Sequence, residues 1–446
     1  MNEISAFEKL RLALSDRSAI AGVIGLGYVG LPLSMAIARA SFRVIGFDVD
    51  STKPPRLNAG EPYIGGVSGG ELARHVHGGR FAATDDFNRL GECDVIVICV
   101  PTPLTRQRQP DLSYVVSSAK QIAARLRRAQ LVILESTTYP GTTREIVLPI
   151  LEAAGFAAGR DFFLGYSPER EDPGNEVFET ASIPKLVAGL GDEASRLVQA
   201  FYGAVVTQIV PVSSLEVAEA AKLTENVFRA VNIALANELK TVFGAMGIDA
   251  WEVIEAAKTK PFGYMPFYPG PGLGGHCVPV DPFYLSWKAQ QSNVAARFIE
   301  LAGEINHAMP DYVVGVLADA LQTRRGKALA GARILLLGLA YKKNVPDVRE
   351  SPSFELLKLL EERGANVDFH DPHVMVIPQT RDRPEFRGKR SIALDAGRLA
   401  GCDAVLIATD HDAVDYALIA EHARLIVDTR NVMARKGLAS DHVVKA

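Results

Sequence analysis

Cys277 stands in the run Gly272-Leu273-Gly274-Gly275-His276-Cys277-Val278-Pro279-Val280-Asp281, a stretch dense in glycine and proline. Far upstream lies Gly25-Leu26-Gly27-Tyr28-Val29-Gly30, which has the glycine spacing of a dinucleotide-binding turn. A nicotinamide site alone supports the removal of one hydride. A nucleophilic thiol added to such a site could trap the aldehyde and permit a second oxidation, carrying an alcohol to a carboxylate. A free cysteine is by default a buried apolar residue. The loop setting, with His276 and Asp281 close in sequence, points instead to a reactive thiol, which needs nearby cations or donors. His276 itself reads as a structural loop histidine. Cys93, Cys99 and Cys402 lie on or beside apolar strand-like runs and read as structural.

Two more groupings could serve the same chemistry. Lys222 and Asn226 are one helical turn apart in Glu219-Ala220-Ala221-Lys222-Leu223-Thr224-Glu225-Asn226, so they project from one face. An ammonium and an amide aimed at one spot can stabilise a developing alkoxide, although this spacing equally suits a solvated face. Ser167-Pro168-Glu169-Arg170-Glu171-Asp172-Pro173-Gly174 offers a general base in Glu169 and a cationic anchor in Arg170. Its plain reading is an exposed loop whose charges compensate one another.

In the fingerprint, Gly25 permits the tight turn, Gly27 admits a pyrophosphate and Gly30 lets the helix pack close to the sheet. Asp48 closes the second strand, where a carboxylate can accept both ribose hydroxyl protons and repel a 2′-phosphate. That favours NAD over NADP. Val100-Pro101-Thr102-Pro103 and Glu135-Ser136-Thr137-Thr138 each follow a strand on its carboxyl side, the edge where doubly wound sheets bind ligands. Their hydroxyls serve there as ligands or as loop caps.

The elements that must position these groups follow from pattern. Segments 19–24, 31–40 and 42–47 read as strand, helix and strand, and the alternation continues through strands near 93–100, 131–134, 162–165 and 185–189. Segments 113–127 and 144–154 read as helices. From 213 to 257 helical spacing is sustained without proline, which suits a spine or subunit interface. Residues 260–281 read as a long loop, and 293–321 as another helix. After Arg324-Arg325-Gly326-Lys327 a second α/β pattern begins, with strands at 332–338, 366–370, 403–408 and 425–428. The fold class expected is α/β, with two doubly wound, Rossmann-like domains joined by a long central helical region. Boundaries fall at 1–212 for the NAD-binding domain, 213–322 for the helical and dimerisation segment with the Cys277 loop, and 323–446 for the second α/β domain.

Bulk composition excludes several classes. The 446 residues are 48% hydrophobic and 22% charged, with a net charge of −4, which describes a soluble globular chain with no electrostatic case for nucleic acid or anionic membranes. The apolar runs are strand-sized and the N-terminus lacks a signal peptide's pattern. Four cysteines without metal-like spacing suggest a reducing cytoplasm and no metal.

These motifs, in this order, resemble those of the UDP-glucose/GDP-mannose dehydrogenase family, from Gly25 through the Arg430 region. They include Gly25 to Pro32, Ser136-Thr137, Ser167-Pro168-Glu169, Lys222 to Asn226, Gly274-Gly275-His276-Cys277 to Asp281, and Tyr341-Lys342-Lys343 with Asp347-Val348-Arg349-Glu350-Ser351. The resemblance implies an NAD-dependent, four-electron oxidation of a nucleotide sugar at C6, through a thiohemiacetal and then a thioester on Cys277. It implies that Lys222, Asn226 and Asp281 arrange substrate, a water and the charge on oxygen, that Glu169 directs hydrolytic water, and that Thr137 lies near the reacting carbon and cofactor. Thr102 and Arg349 become cofactor contacts beside Gly25, Leu26, Gly27, Tyr28, Val29, Gly30 and Asp48. Substrate contacts become Glu169, Arg170, Lys222, Asn226, Lys342 and Arg430, with Tyr268, Gly272 and Gly274 in the sugar cradle. A homodimer or higher homo-oligomer is implied as well.

Glucose- and mannose-type members carry a second glutamate where this chain has Pro173. The pattern here, with Glu135-Ser136-Thr137-Thr138-Tyr139-Pro140-Gly141 and Pro266-Phe267-Tyr268-Pro269-Gly270, resembles the branch oxidising UDP-N-acetyl-hexosamines, and UDP-N-acetylglucosamine is the first substrate expected. UDP-N-acetylmannosamine and UDP-glucose are the alternatives. The arginine lent across the subunit interface in other members is not evident, and Lys258 or Lys260 is the replacement expected. Lys53-Pro54-Pro55 stands where related sequences continue into a helix. Outside this family, a two-electron β-hydroxyacid dehydrogenase or a non-catalytic NAD-responsive protein would share parts of the pattern.

Overall fold

The computed structural model describes residues 5–105, 107–170, 181–275, 278–380 and 383–446. Packing divides the chain into a unit formed by Met1–Glu225 with Phe283–Ala295, and a second formed by Asn226–Pro282 with Ala296–Ala446. The division falls inside one continuous helix, Leu215–Ala245.

In the first unit an eight-stranded sheet is built from β1 (Ile20–Ile24), β2 (Arg43–Phe47), β3 (Phe81–Thr84), β4 (Val95–Ile98), β5 (Gln130–Leu134), β6 (Phe162–Tyr166), β7 (Lys185–Gly189) and β8 (Ile209–Pro211). The order is β3-β2-β1-β4-β5-β6-β7-β8, parallel throughout except between β6 and β7. Both faces are covered. Val95 and Val97 pack into one apolar cluster, while Ile96 and Ile98 pack into the other, as strand alternation requires. Register then places the chemistry. Ile24 pairs with Phe47 and Ile98, Ile98 with Leu134, and Leu134 with Tyr166. The loops beginning at Gly25, Asp48, Cys99, Glu135 and Ser167 therefore leave the sheet along one edge, on either side of the switch between β1 and β4.

The second unit holds β9 (Arg333–Leu337), β10 (Asn366–His370), β11 (Ala404–Ile407), β12 (Ile426–Asp428) and β13 (Val443–Lys445), all parallel in the order β10-β9-β11-β12-β13. Ile334 and Leu336 face one core and Leu335 and Leu337 the other. The fold is thus α/β, with two doubly wound sheets and a helical region between them in sequence.

Several local expectations are corrected. The helical stretch 213–257 is two helices, Leu215–Ala245 and Ala250–Lys258. Gly247 breaks it with φ +72°, and Asp249 caps the second helix by accepting from the Trp251 N–H. Lys53–Asn58 is a helix after all, because its prolines occupy the first turn, where no N–H is needed. The helix expected at 144–154 opens with a π-type turn, Thr143–Val147, before Leu148–Glu152. Helices Ala6–Ser15, Asp192–Val205 and Asp281–Gln291 went unread. The first buries Phe7, Leu10 and Leu14, a helical spacing that was legible in the sequence. Among the described residues no helix is long and apolar enough to cross a membrane.

Candidate active site

The turn after β1 shows what each glycine permits. Gly25 has φ +92°, and a Cβ there would lie 2.6 Å from the Cys99 carbonyl oxygen. At Gly30 a Cβ would lie 1.8 Å from the Gly25 carbonyl oxygen, so helix Gly30–Arg39 can seat on the turn only without a side chain. At Gly27 a Cβ meets nothing within 4 Å. That open face adjoins a helix N-terminus with no side-chain cap, as a pyrophosphate site needs. The Leu26 side chain is core, leaving only its backbone for a cofactor, while Val29 is half-buried and Tyr28 exposed.

Asp48 is buried at the end of β2. Its carboxylate already accepts from the Leu26 N–H at 3.0 Å, the Asp50 N–H at 3.0 Å and the Lys53 ammonium at 2.9 Å. A ribose would therefore compete with Lys53 for the remaining acceptor capacity instead of meeting a bare carboxylate. The open Gly27 face and this acid together fit a dinucleotide.

A substitution separates the two glycine roles. Gly27→Ala is expected to leave stability within about 0.5 kcal/mol, since its methyl group meets nothing in the free protein. The same methyl would meet a pyrophosphate, so NAD affinity should fall about tenfold or more. Thermal melts and NAD titration check this, and undiminished NAD affinity would remove Gly27 from the cofactor site.

The next loops are stitched together. The Thr102 hydroxyl donates to the Thr137 carbonyl at 2.8 Å, and the Ser136 hydroxyl to the Val100 carbonyl at 2.7 Å. The Tyr284 hydroxyl donates to the Thr102 carbonyl at 2.6 Å. The Thr102 and Ser136 hydroxyl protons thus serve as loop caps, which leaves the Thr102 oxygen lone pairs and backbone for a ligand, and the Thr102 bond fixes where Thr137 sits.

Beyond β6, Glu169 is buried and its carboxylate lies 3.4 Å from the Lys222 ammonium, itself buried. Sequence offered an exposed, charge-compensated loop as the plain reading for Glu169 and a solvated face for Lys222. Neither holds for these two side chains. Arg170 is tied down separately, with its guanidinium 2.6 Å from Glu225 and donating at 2.6 Å to the Pro184 carbonyl.

Two acids here were missed. Glu219, one turn before Lys222, accepts from the Gly141 N–H at 2.6 Å, and from the Thr143 N–H at 2.9 Å and hydroxyl at 2.7 Å. Burial outweighs those donors and pushes its carboxyl up to about 7. Glu135 is buried between the Lys185 ammonium at 2.5 Å and the Tyr202 hydroxyl at 2.6 Å. Lys185 also reaches the Pro168 carbonyl at 3.4 Å, next to Glu169. No local spacing announces either contact. Burial also drives the Cys93 thiol up to about 12, which makes it inert as a nucleophile.

In the second unit, the Asn226 amide donates to Asp281 at 2.6 Å, both side chains being buried. Asp281 is the first residue of helix Asp281–Gln291, which sets its position. Upstream, the glycine loop lies against Tyr341. A Cβ at Gly274 would be 2.6 Å from the Tyr341 Cβ, and one at Gly275 2.9 Å from its ring. Gly272 has φ +130° and lies against Pro352. The Gly275 N–H donates to the Arg349 carbonyl at 3.1 Å, while the Arg349 guanidinium is held by Asp347 at 2.7 Å. Lys342 is half-buried. Arg430 donates from Nε to the Ala408 carbonyl at 2.8 Å.

Among the described residues, Lys260 and Tyr268 bond to none of these groups. Lys260 is exposed, its ammonium 5.1 Å from the Phe262 ring, and the Tyr268 hydroxyl donates to Glu255 at 2.5 Å. His276, Cys277 and the segment 171–174 lie outside the described residues.

Comparison with known proteins identifies the family. The sequence matches the UDP-glucose/GDP-mannose dehydrogenase family in its NAD binding domain over residues 19–206, its central domain over 216–308 and its UDP binding domain over 335–435. A UDP-N-acetyl-D-glucosamine 6-dehydrogenase of Pseudomonas aeruginosa is 40% identical over 354 residues, covering 79% of this chain and 82% of that one. An NDP-N-acetyl-D-galactosaminuronic acid dehydrogenase of Ralstonia solanacearum is 32% identical over 94% of this chain and 97% of its own. The solved structure of a UDP-D-ManNAc dehydrogenase from Pyrococcus horikoshii superposes with a TM-score of 0.84 at 32% identity, covering 95% and 97% of the two chains. The chain belongs to the UDP-glucose/GDP-mannose dehydrogenase family and is an NAD-dependent nucleotide-sugar dehydrogenase.

Proposed function

We propose that this member of the family oxidises C6 of a UDP-N-acetyl-hexosamine, UDP-N-acetylglucosamine first, to the uronic acid used as a surface-polysaccharide precursor. What chiefly supports a role in catalysis is one helix, Leu215–Ala245. It presents, a turn apart, an ammonium held by buried Glu169 and an amide held by buried Asp281. Buried, paired polar groups at this spacing are costly to build and are a common mark of catalytic sites.

In this reading NAD, when bound, supplies the hydride acceptor for each of two oxidations. Lys222 and Asn226 stabilise charge developing on the C6 oxygen, with Asp281 orienting the Asn226 amide. The Cys277 thiolate adds to the C6 aldehyde, forming a carbon–sulfur bond and a thiohemiacetal. Oxidation of that adduct leaves a thioester. Water guided by Glu169 then breaks the carbon–sulfur bond, releasing the carboxylate and regenerating the thiol. Thr137 borders the reacting carbon, Arg170, Lys342, Arg430 and the 268–274 loop hold the nucleotide sugar, and Thr102, Asp48 and Arg349 serve the cofactor. Residues 1–212, 213–322 and 323–446 are assigned to NAD binding, dimerisation with the thiol loop, and UDP-sugar binding. A cytoplasmic homodimer, with Lys260 reaching toward the partner's substrate, completes the reading.

The relatives carry several substrate names, and the 40% identical one supports N-acetylglucosamine. A panel of UDP-N-acetylglucosamine, UDP-N-acetylgalactosamine, UDP-N-acetylmannosamine, UDP-glucose and GDP-mannose tests it. The expected outcome is the highest kcat/KM for UDP-N-acetylglucosamine, with two NADH formed per sugar. A different preferred sugar overturns the substrate. One NADH per sugar, with an aldehyde or ketone product, overturns the thioester route.

A further inference from the structure

Among the described residues, Lys240 is the one buried lysine of the second unit whose surroundings the reaction so far leaves unexplained. It lies on helix Leu215–Ala245, about one turn beyond Asn237, with 4% of its surface exposed. Its ammonium is buried and makes no hydrogen bond. What it meets is the face of the Tyr312 ring, 4.9 Å from the centroid, and the positive charge of Arg430 disfavours its own. A buried ammonium that lacks a hydrogen bond and feels a second positive charge is costly, and one aromatic face offsets only part of that cost.

The neighbouring backbone is arranged around it. Asn237 accepts from the Gly270 N–H at 2.9 Å and donates to Asn306 at 2.9 Å, and Asn306 donates to the Ala230 carbonyl at 3.1 Å. These bonds pin the start of the 268–274 loop to the helix beside Lys240. Arg430 closes on the same loop residue, since a Cβ at Gly270 would lie 2.5 Å from its Nη1. Asp410 and Asp428 act on Arg430 from its own domain, but Asp410 pairs with Arg435, and Asp428 accepts backbone N–H groups of Arg430 and Met433. Among the described residues neither the Lys240 nor the Arg430 head group forms an ion pair with a carboxylate.

We propose that Lys240 is a substrate-positioning residue which, with Arg430, brackets a phosphoryl group of the nucleotide diphosphate behind the 268–274 loop. This deepens the function proposed above and rests on it. An anion placed between two unpaired cations would satisfy both, and only the bound state would hold Lys240 fully charged. Burial, and then Arg430, lower its amine to about 7 in the free protein, with Tyr312 the other titratable group facing it. Binding a diphosphate should raise that value and draw in a proton.

The test compares the full chain with Lys240→Met, using UDP as the probe. Calorimetric titrations near pH 8, in buffers of differing ionisation enthalpy, should show proton uptake on UDP binding by the parent that the variant lacks. UDP affinity should fall about tenfold or more, and KM for the nucleotide sugar should rise to match, with kcat falling less than about threefold. The unliganded variant should melt higher than the parent. The folded amine sits below its ordinary value, so the unfolded chain binds the proton more tightly between about 7 and the lysine range. The variant's thermal advantage should therefore be greatest near neutral pH and below, and should shrink as pH rises through that window. Inorganic phosphate that competes with UDP and brings the same proton uptake supports the assignment, whereas phosphate bound alongside UDP overturns it. Unchanged UDP affinity and uptake also overturn it, as does a lower melting temperature with KM and kcat both preserved. UDP binding needs no turnover, so failure of the sugar panel and failure of this proposal remain distinguishable.

Discussion

Replacing Cys277 with alanine is expected to end carboxylate formation and to lower steady-state NADH production by about a thousandfold or more, roughly 4 kcal/mol of barrier. The first oxidation needs no covalent bond to the protein, so a single slow turnover to aldehyde should survive. The second needs a tetrahedral carbon bearing a hydride that can leave, and the proposed thiol adduct would supply it. Without the thiol, only the hydrated aldehyde could be oxidised, with no positioned nucleophile. Single-turnover NADH yield, read with product mass, tests this. A variant still making two NADH and uronic acid at the parental rate removes Cys277 from the chemistry. Cys93 offers no substitute, its thiol being pushed up to about 12 by burial.

Lys222→Met should lower kcat by about a hundredfold to a thousandfold, the usual cost of removing one group that stabilises charge on a reacting oxygen. The same change strips buried Glu169 of the ammonium 3.4 Å away, so stability should fall by roughly 3–5 kcal/mol. These effects have different origins and can be separated. Lys222→Met combined with Glu169→Gln removes the stranded charge and should recover most of the stability without recovering activity. Thermal melts beside steady-state kinetics make the comparison. Activity returning with stability would mean that Lys222 serves only to neutralise Glu169.

Legibility in the sequence followed the range of the interaction. Gly25, Gly27 and Gly30 were readable because the turn, the open face and the helix seat are all local steric demands. The strands were readable because burial on both sheet faces leaves continuous apolar runs such as 95–98. Helix Ala6–Ser15 is equally local, with Phe7, Leu10 and Leu14 at helical spacing on its buried face. Asp48 was half legible. Its place at the end of β2 follows from the pattern, whereas its engagement by Lys53 depends on the proline-led helix Lys53–Asn58 folding back toward it.

Glu135, Glu219 and Lys240 were illegible for a different reason. Each is an ordinary charged residue until its partners are known, and those partners are distant in sequence. Lys185 meets Glu135, Thr143 meets Glu219, and the charge of Arg430 acts on Lys240. The energy that matters at each is desolvation, which depends on total burial and not on neighbouring residue types.

By itself, the sequence determined a dinucleotide turn, a lysine and an asparagine one turn apart, and a thiol in a glycine-rich loop. All are short-range patterns that constrain backbone shape and side-chain direction. Only the tertiary structure decided that Lys222 faces Glu169 and that Asn226 holds Asp281. It alone revealed that Lys240 is buried without a hydrogen-bond partner. The physical reason is that pairing and desolvation are set when distant segments pack together, and local spacing carries no record of which segment will arrive.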